Sequence, residues 1–242
     1  MIAWGRNRFR IRQMLMCTTI VFFLFQSAIS NAQSISRIRF ILTFNGAVIN
    51  KMPYAGVLEK SDTVLISEFQ FYVHHIRLLS NGKEIYSNGN NHLLVNANDL
   101  SSMSIEFPCM ELEIADEVSF VIGVDSIMQS NGAHSGTLDP IHGMYWTWQS
   151  GYIHWKLEAE TIIGGNSETI AWHVGGYRQP FNTLRRVSLP LVSDNKQLKI
   201  GIDLFGLLSV DQEVVDRTIM SPSKQAMQLA DRFQNSFQWL AH

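Results

Sequence analysis

The residues of this 242-residue chain best suited to chemistry are its eight histidines: His74, His75, His92, His134, His142, His154, His173 and His242. Neutral imidazole is the commonest protein ligand for copper and zinc. No pair has the helical H-E-x-x-H spacing, so a metal site has to be assembled from separate elements. His74 ends the apolar run Phe69 to Val73, His134 lies in a loop flanked by Gly132 and Gly136, and His173 sits in an alternating segment. Two strands and a loop of that kind can bring three imidazoles together, so His74, His134 and His173 are the candidate ligands. Each histidine taken alone reads as an ordinary core or surface residue. In a regular strand Tyr72 and His74 share a face, and His75 points away unless a bulge intervenes.

Aromatic residues are the second feature. Three of the five tryptophans beyond residue 32, Trp146, Trp148 and Trp155, fall within Leu138 to Glu158. An extended strand places Trp146 and Trp148 on one side, two large apolar rings with polar N–H handles. Core packing, a platform for a ligand and a tryptophan held near a metal all fit that pattern. Other chemistries are poorly represented. There is no G-x-S-x-G, no Walker loop and no EF-hand loop. Asp125, Asp139 and Asp203 stand at strand ends, where turn chemistry explains them. Cys109 is alone once the first 32 residues are set aside, and it reads as a buried structural thiol. No nucleophile–base or acid–base pair stands out, so a non-enzymatic protein is expected.

The elements that must position these residues are mostly strands. Apolar residues alternate in Arg37 to Phe44, Val118 to Val124, Ile153 to Leu157, Ile170 to Val174 and Leu198 to Leu204. A long run from Val64 to Leu79 ends at Asn81-Gly82, a tight-turn signal, with Lys83 to Tyr86 as the returning strand. This density of short strands predicts a mainly β fold, an antiparallel sandwich or barrel-like domain. Near the end, Ser221 and Pro222 predict the start of an amphipathic helix carrying Ala226, Leu229, Ala230, Phe233, Phe237 and Leu240. Gln212 to Met220 is expected to form a shorter helix.

Arg6, Arg8, Arg10 and Arg12, the apolar run Met14 to Phe25 and Ser30-Asn31-Ala32 have the layout of a secretory signal peptide over residues 1–32. Residues 34–242 are then expected to form one domain. Without the leader the chain has 15 basic and 21 acidic residues, a net of −6, which disfavours nucleic acid as a partner. No later stretch is long and apolar enough to be a transmembrane helix.

Several strings resemble one family. Asp139-Pro140-x-x-Gly143-Met144-x-Trp146-x-Trp148-x-x-Gly151-Tyr152, with Lys156-Leu157-Glu158 behind it, resembles the signature of the MbnP-like copper-binding domain. Phe71-Tyr72-Val73-His74-His75-Ile76-Arg77-Leu78 resembles its long strand, Ile122-Gly123-Val124-Asp125 the strand before its central loop, and His173-Val174-Gly175-Gly176-Tyr177 a later segment. The matches run in family order from about residue 37 to 205. The resemblance implies a β-rich protein exported to the periplasm or outer surface of a Gram-negative-type bacterium and concerned with copper. It implies histidine ligands at His74 and His173, with a looser match at His134. In some members a tryptophan oxidised to kynurenine joins the site, installed by a dihaem partner of the MauG/cytochrome c peroxidase type. Position 72 is tyrosine, so Tyr72 departs from that pattern, and Trp146 and Trp148 are the tryptophans open to modification. A TonB-type transporter is a further implied partner. The expected function is copper capture or delivery without turnover. The alternatives are a carbohydrate- or peptide-binding module using Trp146, Trp148, Tyr145 and Tyr152, and a structural surface domain.

Overall fold

The computed structural model describes residues 35–58, 62–148, 151–191, 197–209 and 216–240. The expected leader, the side chain of Cys109 and His242 lie outside the described residues. In chain order the strands are β1 Ile35–Phe44, β2 Ala47–Val48, β3 Tyr54–Val57, β4 Thr63–Ser80, β5 Lys83–Ser87, β6 Leu93–Asn96, β7 Ser104–Pro108, β8 Glu117–Ile122, β9 Tyr145–Trp146, β10 Gly151–Ile163, β11 Asn166–Gly175, β12 Arg185–Pro190, β13 Gln197–Asp203, β14 Thr218–Ile219 and β15 Phe237–Trp239. The helices are α1 Cys109–Ile114, α2 Ser126–Ser130, α3 Leu204–Leu208 and α4 Lys224–Asn235.

The fold is mainly β, with two sheets among the described residues. The smaller runs β15-β13-β1-β2, with β7 also on β1. The larger runs β12-β8-β4-β10-β11-β14, with β3, β5 and β6 on β4 and β9 on β10. Most pairings are antiparallel, as the alternating pattern predicts, but β1 with β13 and β11 with β14 are parallel. Apolar side chains of β1 (Ile38, Phe40, Leu42) face those of β4 (Phe69, Phe71, Val73) and β10 (Trp155, Leu157) in one buried core. That face-to-face burial is what the alternation encodes.

The C-terminal region differs from the sequence expectation in three places. Helix α4 begins at Lys224, and its cap is Ser223, whose hydroxyl accepts from the Ala226 N–H at 3.0 Å. It ends at Asn235, and Phe237 pairs with Ile202 as part of β15, because the apolar spacing after Phe233 serves a strand closing the small sheet. Thr218 and Ile219, expected in a helix, form β14 beside Ala171 and Trp172. Phe233 is the helix's main anchor, with rings of Phe69, Phe71, Trp155 and Phe237 packed around it.

β4 positions the site. Its core-facing residues are Val64 and Ile66, then Phe69, Phe71 and Val73, then Ile76 and Leu78. The parity changes twice, and the ladder shifts register at the corresponding places, beside Ser67 and at His75. Each shift is a bulge of one extra residue. His75 takes φ +49°, in the left-handed region, which absorbs the second. Between the bulges Glu68, Gln70, Tyr72 and His74 line the face turned away from the main core. A second, smaller apolar cluster covers part of that face: Tyr72, Val124, Leu138, Met144, Trp146, Tyr152 and Ile153.

Candidate metal centre

His74, His92 and Asp125 each bring a ligating atom into one group, all within 4.8 Å of one another. His74 comes from β4, His92 from the residue before β6, and Asp125 from the start of α2. The two imidazole rings stack, 4.7 Å apart and 22° from parallel. Both histidines are buried and Asp125 is partly so.

The second atom of His74 and of Asp125 is already committed. His74 Nδ1 lies 2.9 Å from the Gly123 carbonyl oxygen and donates to it, which leaves Nε2 as a bare lone pair. His92 sits close enough to the Asn90 backbone carbonyl to feel it electrostatically, and its Nε2 is buried without a hydrogen bond. Asp125 caps α2, Oδ1 accepting from the N–H groups of Ile127 (2.8 Å) and Met128 (3.1 Å). Its Oδ2 is buried without a hydrogen bond, although it lies 3.2 Å from His92 Nε2. Two buried polar atoms held so close without hydrogen-bond geometry are unfavourable in the absence of a cation. Histidines oriented by carbonyl bonds through the non-ligating nitrogen are the usual supports of a metal site.

Electrostatics keep the imidazoles neutral. Burial lowers the pKa of His74, and the bond to Gly123 only partly opposes it. Burial, then the neighbouring His74, lowers that of His92 to about 4, against the attraction of Asp125. Burial lowers His154, which is fully enclosed, to about 3. Its Nε2 accepts from the Gln129 amide at 2.8 Å and its Nδ1 donates to Thr183 Oγ1 at 2.9 Å, so a second ring proton would face a donor. Neutral imidazoles bind metal without first losing a proton.

Loop and hairpin residues hold the ligands in place. Tyr72 donates to the Thr137 carbonyl at 3.0 Å, and Thr137 Oγ1 donates to the His92 carbonyl at 2.9 Å. The Tyr152 hydroxyl donates to the Leu138 carbonyl at 2.9 Å and accepts the His134 N–H at 2.8 Å. Gly123, at φ +109°, has no room for a side chain, because an added Cβ would stand 2.6 Å from the His154 ring. The family string builds this scaffold. Asp139 Oδ1 caps the 3-10 turn Pro140–His142, Gly143 closes it at φ +70°, and Met144 is buried. Gly151 and Tyr152 then pair with Trp146 and Tyr145.

Of the three histidines singled out in the sequence, His74 is in the group. His134 is close enough to influence His92 electrostatically, but its Nε2 lies 3.0 Å from the Met128 carbonyl. His173 is held elsewhere, its Nε2 2.9 Å from Glu158 Oε1, in a cluster with Lys156 and Glu68. Tyr72 is fully buried, with its hydroxyl pKa raised by that burial. Trp146 is 2% exposed and Trp148 68%, although their rings lie 6.4 Å apart, because β9 stops at Trp146. His92 and Asp125 were not singled out as metal ligands. No spacing links them, and in the sequence Asp125 reads as turn chemistry at a strand end.

A family model named MbnP matches residues 33–221. Among solved structures, MbnP from Methylosinus trichosporium is similar in fold, with a TM-score of 0.53 and 16% identity over 72% of this chain and 77% of that one. A search of curated proteins returned no match. The match spans most of the strands just described, together with all three residues of the metal-ligating group, and this chain belongs to the MbnP family.

Proposed function

We propose that this protein binds one copper ion through His74 Nε2, His92 Nε2 and Asp125 Oδ2, and that it captures or delivers the ion without turnover. The observation that carries this reading is the convergence of His74, His92 and Asp125 within 4.8 Å, with His92 Nε2 and Asp125 Oδ2 both buried and neither hydrogen-bonded. A cation between them and His74 satisfies all three. Two imidazoles and a carboxylate suit copper or zinc. The family's link to copper handling and the place of Cu(II) at the top of the Irving–Williams order favour copper. Export to the periplasm belongs to the same reading, and among the described residues no helix is long and apolar enough to cross a membrane. A dihaem partner and a TonB-type transporter are proposed with it, and the exposed Trp148 is the tryptophan such a partner could reach. The alternative of an open carbohydrate platform loses support because Trp146 and Tyr152 are buried.

Titration of the metal-free protein with Cu(I) and Cu(II) against a competing chelator tests the reading. One tight equivalent that zinc does not displace is expected. Weak binding at several sites would mean that the histidines are incidental.

A further inference from the structure

A cavity of about 420 Å³ shares two residues, Gln129 and Tyr152, with the supports of the metal centre. Its volume is that of a small-molecule site, on the order of 300–1,000 Å³. Trp146 and Tyr152 wall it from the β9–β10 hairpin, and Tyr177, Arg178 and Phe181 wall it from the loop after β11.

This loop is built to stay open at a fixed distance. Thr183 closes its base, donating to the Gly176 carbonyl from its N–H (2.9 Å) and its hydroxyl (3.2 Å). Gly176 takes φ +132°, and a Cβ there would stand 2.4 Å from the Phe181 carbonyl oxygen, so only glycine allows the approach. His154 joins the two walls, bonding Thr183 on one and Gln129 on the other.

The polar groups of the walls are unequal. The Gln129 amide is spent, accepting from the Tyr152 N–H at 2.7 Å and donating to His154. Trp146 is 98% buried, and its indole N–H, which has no acceptor among the described residues, presents no surface to the cavity. Arg178 lies over the Tyr177 ring, 5.1 Å from its centroid, and has no carboxylate partner among the described residues. An unpaired guanidinium stands out beside a cavity in a chain whose acidic residues outnumber its basic ones, 21 to 19. Aromatic walls call for a planar apolar ring. One guanidinium fits a singly charged carboxylate through paired N–H···O bonds.

We propose that the cavity binds a small planar aromatic carboxylate, its ring against Tyr177 and Phe181 and its carboxylate on Arg178. The ligand is a small molecule in a cavity that opens to solvent at Arg178 and Phe181, distinct from a polysaccharide laid on an open surface.

The test is calorimetric titration of the full metal-free protein with benzoate, 4-hydroxybenzoate and 1-naphthoate, with cyclohexanecarboxylate and benzyl alcohol as controls. Because no metal is present, the result is independent of the metal centre. At least one aromatic carboxylate is expected to bind one-to-one, with the controls weaker by about tenfold or more. Arg178→Gln and Phe181→Ala are each expected to weaken binding by a similar factor. Arg178 is exposed, so its replacement leaves the fold intact. No binding at millimolar concentration, equal binding of the controls, or wild-type binding by both variants would overturn the proposal.

Discussion

Two polar clusters sit on the same face of the same sheet, and they differ in one respect. Around His173, Lys156 Nζ lies 2.8 Å from Glu68 and 3.2 Å from Glu158, and Glu158 also meets His173. That cluster brings its own cation. The lysine pKa is raised by its two carboxylates although burial works against them. Around His74 there are two imidazoles and one carboxylate, with no lysine or arginine ion-paired to any of them among the described residues. Histidines near carboxylates therefore do not identify a metal site. What distinguishes the second cluster is that no cation is ion-paired to it among the described residues, Arg186 acting on His74 only electrostatically.

The sharpest way to break this comparison is to delete one imidazole from each cluster. His92→Ala or His74→Ala should weaken copper binding by about 100-fold or more, and His173→Ala by no more than about threefold, in a chelator-competition titration. Equal losses would erase the distinction. Lys156→Met should do the reverse. It leaves Glu68 and Glu158 without their cation and should cost about 2 kcal/mol in urea unfolding, below the full cost for a buried pair because both carboxylates are partly exposed. Copper affinity should stay as in the wild type.

Acid probes the neutral side of the comparison. The pKa values of His92 and His154 in the folded protein, about 4 and about 3, lie below the ordinary imidazole value. Below about pH 6.5 the unfolded chain takes up protons at these positions and the folded protein does not. Stability should therefore hold above that pH and fall as the pH drops toward 4, which a series of melting temperatures would show. A flat profile from pH 7 to 4.5 would mean that these rings are not held neutral. The smallest effect concerns the bulge that aims His74. His75→Gly relieves a left-handed residue and should stabilise the protein by up to about 1 kcal/mol without altering copper affinity.

Much of the β scaffold was legible in the sequence, because alternation reports one buried face at a time. β1, β8 and β11 follow the apolar pattern directly, and β10 does so from Trp155 onward, Ile153 standing across a register shift in the smaller cluster. β4 was legible as a strand but not in its two changes of parity, since a bulge adds a residue without any change of composition. The parallel pairing of β1 with β13 joins segments distant in the chain, which local pattern does not encode. At the site, His74 was legible from its place at the end of an apolar run. His92 was not, because it follows a polar loop, Asn88-Gly89-Asn90-Asn91, with no periodicity. Asp125 looked like turn chemistry and does cap a helix, but only one of its oxygens is used for that. His173 shares every local feature of a ligand, and only the lysine across the β10–β11 ladder sets it apart.

The most direct test is a crystal of the metal-free protein soaked with one equivalent of copper, with diffraction recorded at the copper absorption edge. The account predicts a single anomalous peak within bonding distance of His74 Nε2, His92 Nε2 and Asp125 Oδ2, with Lys156 still between Glu68 and Glu158. A peak at His173, or at surface histidines such as His142, with none between His74, His92 and Asp125, would contradict it.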